Sequence, residues 1–257
     1  MQIPASLRLG CVGYLNARPL IHGWDGPVRL DHPSVLCRML ASGELDVALV
    51  SSFEYLRNPI YAVVDHVAIA SDGPVYSVVL AHQGPLEQLR EVVVDPASET
   101  SVNLLRCLLG RQSRVLPEFV REGEITASRG RLLIGDQAIR LRAETKDRYQ
   151  ILDLGAAWQR QTGLPFVYAL WLIHPGCSEK ESVAAALRSL AARNLENLEA
   201  VIAAQAPEVD RAFCEFYYRE CLRFDFGEPE KIGFQKFGEL CAKEKLLPAA
   251  PPAPSLV

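Results

Sequence analysis

The chain has 257 residues, room for two modest domains or one large one, and is 49% hydrophobic and 23% charged, as in a globular protein with a real core. Its formal net charge is −4 and no block of five Lys or Arg occurs, so neither nucleic acid nor a membrane surface is an expected partner. Any anionic ligand must be held by local groups against an unfavourable overall field.

The first ten residues lack the charged and apolar regions of a signal peptide, and no apolar run reaches the roughly 18 residues that span a membrane. The seven Cys (Cys11, Cys37, Cys107, Cys177, Cys214, Cys221 and Cys241) form no CxxC pair, and several sit in apolar surroundings. They read as reduced, buried thiols of a cytoplasmic protein, with no disulfide framework and no zinc site.

Residues 7–12 read as a strand that ends in the turn Gly13-Tyr14-Leu15-Asn16-Ala17-Arg18-Pro19. A strand that feeds a Gly-punctuated polar turn places side chains where open α/β sheets bind ligands. Pro33-Ser34 opens a helix, with Ser34 as N-cap and Gly43 as stop. Residues 46–50 form the next strand, and Ser51-Ser52 opens another element holding Glu54. This βαβ order predicts a mainly parallel sheet. Two strands, 63–69 and 75–81, flank the turn Ser71-Asp72-Gly73-Pro74.

The pattern restarts after Pro85. A strand at 92–94 leads through a polar loop, 95–101, to a helix at 102–109. A strand at 132–134 ends at Gly135-Asp136, and a helix runs on through Leu141. A short strand at 151–154, a helix at 155–162 with Gly163 as its stop, and a long apolar strand at 166–173 follow. Beyond Glu179 the chain is nearly all helix, at 184–204, 208–223 and 229–245, before a Pro-rich tail expected to be extended or mobile.

Four segments are too polar for their places: the turn with Tyr14, Asn16 and Arg18; Ser77 in an apolar strand; Ser98, Thr100 and Ser101 before a helix; and Gly135-Asp136 after a strand. Hydroxyls and exposed N–H groups at a helix start suit a carboxylate or phosphate. The competing reading is structural: Ser98 or Thr100 caps the helix, Asp136 caps the next, Asn16 serves a turn, Arg18 faces solvent and Ser77 bonds to backbone. Sequences typical of hydrolases, metalloproteases, P-loops and dinucleotide sites are absent, and the five His show no metal-ligand spacing.

Six motifs in register resemble the chorismate dehydratases of the futalosine route to menaquinone. They are Gly13-Tyr14-Leu15-Asn16-x-x-Pro19-Leu20, Gly43-x-Leu45-Asp46-Val47-Ala48, Asp72-Gly73-Pro74-Val75-x-Ser77-Val78, Ser98-x-Thr100-Ser101-Val102, Leu133-Ile134-Gly135-Asp136-x-Ala138 and the stretch 162–171. The resemblance covers about residues 7 to 240. It implies an α/β, two-lobed, type II periplasmic-binding-protein-like fold with an interlobe cleft. With the block pattern, it groups residues 1–80 and 174–257 as a discontinuous first lobe and 81–173 as an inserted second lobe. Two chain crossings would then form a hinge beside the cleft.

By resemblance the reaction is a carbon–oxygen lyase (hydro-lyase) step that removes water from chorismate, a small dianion, to give 3-[(1-carboxyvinyl)oxy]benzoate without metal or organic cofactor. Asn16 and Ser77 would be catalytic or substrate-orienting; Tyr14, Arg18, Ser51, Ser98, Thr100, Ser101, Gly135 and Asp136 would contact substrate. Asn and Ser are poor bases at neutral pH, so either the substrate's own enolpyruvyl carboxylate takes the proton or Asp136 or Glu54 does. Two rivals stand: a sister enzyme of the same route acting on cyclic dehypoxanthine futalosine, and a non-enzymatic small-anion binding protein, since fold does not fix function.

Overall fold

A computed structural model describes residues 7–95, 98–110, 116–145, 148–204 and 210–257. The first strand, β1 (Leu9–Val12), is apolar along its whole length, so it belongs inside a sheet covered on both faces. It pairs in parallel with β2 (Val28–Asp31) and β3 (Val47–Ser51). Helices α1 (Arg18–Ile21), α2 (Pro33–Ala41) and α3 (Ser52–Arg57) connect and cover these strands, and β4 (Ala62–Ser71) lies further along the same sheet. Helix α2 starts at Pro33 with His32 ahead of it, which puts Ser34 inside the first turn instead of at the cap. The half-exposed edge strand β2 alternates apolar and polar residues (Val28, Arg29, Leu30, Asp31), a short strand signal that the sequence reading passed over.

The chain then crosses to a second sheet. It contains β5 (Val78–His82), β6 (Glu91–Val93), β7 (Glu118–Val120), β8 (Arg129–Ile134) and β9 (Gln150–Asp153) in the order β7-β6-β8-β5-β9. Helices α4 (Glu99–Gly110), α5 (Gly135–Glu144) and α6 (Leu154–Thr162) belong to this half, and α6 stops at Gly163 in the left-handed conformation, as expected. Strand β10 (Phe166–Ile173) returns to the first sheet and runs antiparallel between β3 and β4. Strand β10 thus pairs within the first sheet, although the sequence reading grouped it with 81–173. The sheets are mixed, not mainly parallel, because each strand that follows a crossing (β5, β10) enters its sheet against the direction of its neighbours.

The first crossing is held by one carboxylate. The N–H groups of Val75 and Tyr76 donate to Asp153, at 3.0 and 2.8 Å. That capture keeps residues 75–77 out of the ladder, so β5 begins three residues later than the apolar pattern indicates. Tyr76 adopts a φ of +65°, and the Arg142 guanidinium lies 3.8 Å from its ring centre.

The C-terminal part packs on the first sheet through α7 (Lys180–Glu196), α8 (Leu198–Ala203), α9 (Arg211–Phe216), a π-helical turn (Tyr217–Cys221) and α10 (Glu228–Lys243). The tail is docked, contrary to the mobile alternative. Its strand β11 (Ser255–Leu256) pairs with β4, and the Tyr55 hydroxyl donates to the Ala253 carbonyl at 3.3 Å. One large apolar core, including Val50, Ile69, Val78, Leu105, Leu132 and Trp158, runs through both sheets, and a smaller cluster of Val79, Ala81, Leu133 and Ala138 lies at the second sheet. Among the described residues no helix is long and apolar enough to cross a membrane.

Candidate active site

Between the two sheets lies a cavity of about 540 Å³, part of it open to solvent. Its apolar floor comes from strand ends: Val12 of β1, Val50 of β3, Ile69 of β4, Val78 of β5, Ile134 of β8 and Ala169 of β10. Its polar wall comes from Tyr14, Asn16, Ser51, Ser98, Glu99, Thr100, Ser101 and Tyr168, with the Glu99 carboxylate paired to Arg57 at 2.6 Å. Among the described residues that line it there is no Lys, Arg or His. An anion here would be met by hydroxyls, an amide and helix-end N–H groups, and by no cation among the described lining; the one carboxylate there, Glu99, is neutralised by Arg57.

Helix α4 supplies those N–H groups. Its first intrahelical bond runs from the Val102 N–H to the Ser98 carbonyl at 2.9 Å, so the N–H groups of Glu99, Thr100 and Ser101 precede the first carbonyl partner. The helix begins at Glu99, three residues ahead of the expected start, which places Thr100 and Ser101 inside its first turn. Thr100 is largely committed. Its hydroxyl oxygen accepts the Phe53 N–H at 3.1 Å and lies 2.5 Å from the Ser51 hydroxyl, so it also satisfies the start of α3. The structural and ligand-facing readings of this segment thus both apply, to different residues: Thr100 bridges two helix starts, while Ser98 and Ser101 have no such bond to α3.

The expected polar turn after β1 is a 3-10 helix, Leu15–Ala17, running straight into α1. Asp136, in the first turn of α5, accepts the Leu15 N–H at 3.0 Å. Its carboxylate therefore caps an element across the cavity instead of lining it. Beside it, Gly135 adopts a φ of +54° and lies under the Tyr14 ring, where a Cβ would sit 3.1 Å from Cγ. Only glycine meets both conditions. Burial, with Asp95 and Asp136 nearby, pushes the Tyr14 phenol up. Asn16 is half-buried, and its Oδ1 is buried without a hydrogen-bond partner.

Ser77 is fully buried and does not itself line the cavity, although its neighbour Val78 does. Its backbone is fixed by a bond from its N–H to the Val75 carbonyl and by acceptance of the Gly135 N–H, both at 2.8 Å. Tyr217 donates to the Ser77 hydroxyl at 2.6 Å. Arg18 lies outside the cavity. It is exposed on a separate depression with His22 and Leu30, on the far side of Tyr14. On a helical path a residue two positions after Asn16 turns away from the wall that Asn16 faces. Glu54, the other carboxylate considered as a base, is buried away from the cavity, paired with Arg57 and accepting the Tyr61 hydroxyl at 3.1 Å.

The sequence reading missed Tyr168, which lines the cavity and bonds to the Ser71 hydroxyl at 3.0 Å, and the tyrosines at 217 and 218. Tyr168 offered the same signal as Ser77, a polar group within an apolar strand. Tyr217 and Tyr218 offered none, because aromatic residues in a helical segment read as core.

A family model described as menaquinone biosynthesis matches residues 7–243. A chorismate dehydratase from Thermus thermophilus is 33% identical over 267 aligned residues, covering 95% of this chain and 96% of that protein. A solved structure of a protein from Archaeoglobus fulgidus superposes with a TM-score of 0.72 at 19% identity, covering 96% of this chain and 100% of that one. The periplasmic aliphatic sulphonate binding protein SsuA of Escherichia coli gives 0.62 at 15% identity, covering 96% and 90%. These structural likenesses establish the periplasmic-binding-protein-like fold, and the sequence matches the rest: the chain belongs to the menaquinone-biosynthesis family that the six motifs resemble.

Proposed function

We propose that this chain is a chorismate dehydratase, a hydro-lyase that converts chorismate to 3-[(1-carboxyvinyl)oxy]benzoate. The observation that carries the reading is the cavity itself. Asn16, whose Oδ1 is buried without a partner, lines the same space as the hydroxyls at the start of α4, in a chain one third identical to a protein of that activity.

In this reading Ser98, Ser101 and the first-turn N–H groups of α4 hold one carboxylate of the dianion. Tyr14, above Gly135, bounds the ring. The enolpyruvyl carboxylate then takes the proton from C3. The C3–H electrons form the new ring double bond, the C4–O bond breaks, and the departing hydroxide takes the abstracted proton from the carboxyl group and leaves as water, which restores the carboxylate. The ring becomes aromatic, so the step runs downhill. Asn16 orients the groups and hydrogen-bonds to developing charge, as suits a side chain that is a poor base, while Ser77, buried one residue behind the Val78 wall, holds that wall from behind. Substrate assistance is supported by the placement of the two rival bases: Asp136 is bound to the Leu15 N–H, and Glu54 is paired with Arg57 and Tyr61. We further propose that the two sheets mark two lobes and that the crossings 72–77 and 163–165 act as the hinge.

Incubation with chorismate, followed by mass spectrometry, tests the function. A product lighter by one water is expected. Chorismate bound but unchanged would instead make the chain a binding protein.

A further inference from the structure

Helix α9 does not continue as an α-helix. After Phe216 the chain widens into the π-helical turn Tyr217–Cys221. Such turns are rare and occur often at functional sites. Here the turn carries two successive tyrosines whose hydroxyls reach two separate segments of the site. Tyr217 donates to the Ser77 hydroxyl at 2.6 Å, and Tyr218 donates to the Leu15 carbonyl at 3.0 Å.

Both rings are almost entirely buried, and Tyr217 stacks on Phe213 at 5.6 Å with 14° between the planes. Burial raises both phenols far above neutral pH, so each remains a donor. The two bonds act on different atoms. Tyr217 ties down the hydroxyl of Ser77, the residue whose carbonyl accepts the Gly135 N–H. The Leu15 peptide is held at both ends, its N–H by Asp136 and its carbonyl by Tyr218, and Asn16 is the next residue.

We infer that Tyr217 and Tyr218 are positioning residues: one fixes Ser77, whose carbonyl holds the Gly135 N–H beneath Tyr14, and the other fixes the turn that presents Asn16 to the substrate. The inference rests on the dehydratase reading. Neither tyrosine touches the substrate, and a purely packing role would be filled equally well by phenylalanine.

Steady-state and single-turnover conversion of chorismate by Tyr217→Phe and Tyr218→Phe tests this, with thermal melts alongside. Each variant is expected to melt close to the parent and to lose about tenfold in kcat, with KM changed less than about twofold. The effect of Tyr217→Phe disappears in a Ser77→Ala background, and that of Tyr218→Phe disappears in an Asn16→Ala background but persists in Ser77→Ala. Unchanged kcat in either variant, or losses that multiply undiminished in those backgrounds, overturns the role of that tyrosine. Should one variant fail to fold, the other carries the test through its own background. A parent chain that leaves chorismate intact overturns the dehydratase reading first, which separates the two failures.

Discussion

At the scale of single residues, one buried polar side-chain atom of the described cavity lining, Asn16 Oδ1, has no hydrogen-bond partner. Replacing the amide by a carboxylate (Asn16→Asp) sets a negative charge against a dianion in a cavity whose described lining holds no cation. The expected outcome is a loss of about 100-fold or more in kcat/KM, of the size seen when one oriented donor is removed. Full activity in that variant would move the site elsewhere. Asp136→Asn works the other way. Its side-chain oxygen can still accept the Leu15 N–H, so kcat should stay within about tenfold of the parent if the substrate supplies the base. Loss of turnover with chorismate binding retained, measured by calorimetry, would make Asp136 the base. Arg18 shows the limit of reading at this scale: the turn is a helix, and a helical step, invisible in the letters, rotates the guanidinium out of the cavity.

Elements hold these residues by contact across the cavity. The start of α3 and the start of α4 share the Thr100 hydroxyl. Thr100→Val keeps the shape but leaves the buried Phe53 N–H without an acceptor. It should lower unfolding free energy by about 1–3 kcal/mol in denaturant titration. On the opposite wall, Gly135→Ala would place a methyl group against the Tyr14 ring on a backbone of positive φ. The expected cost is about 1–2 kcal/mol of stability, with a rise in KM larger than the fall in kcat because Tyr14 is displaced. An unchanged KM would show that Tyr14 plays no part in binding. The sequence reading found the strand ends at 12, 50 and 134 and the hydroxyl cluster at 98–101, because apolar runs and N-cap chemistry are local signals. It missed that α4 starts at Glu99 and that Asp153 pulls 75–77 out of the strand, because both outcomes depend on partners distant in the chain.

At the scale of the whole molecule, the alternation of strands and helices made the α/β class legible, and the motif resemblance supplied the two-lobed form. The strand order did not follow from pattern, since β10 is apolar enough to fit either sheet and only pairing places it between β3 and β4. Nor did the tail: its prolines argue against helix, and its docking depends on a sheet edge that β4 leaves open. One feature of the cavity reaches beyond the fold. A dianion approaches a molecule of net charge −4 and finds no cationic side chain among the described residues that line its destination. Dissolved salt therefore removes a repulsion here, where in most enzymes of anionic substrates it weakens an attraction. At about 0.1 M ionic strength the field of distant charges fades within roughly 10 Å, while helix-end and hydroxyl contacts inside the cavity are little affected. Initial rates with dilute chorismate should accordingly rise, not fall, as potassium chloride is added from low millimolar concentration, and capture of the substrate would be fastest in a crowded ionic medium.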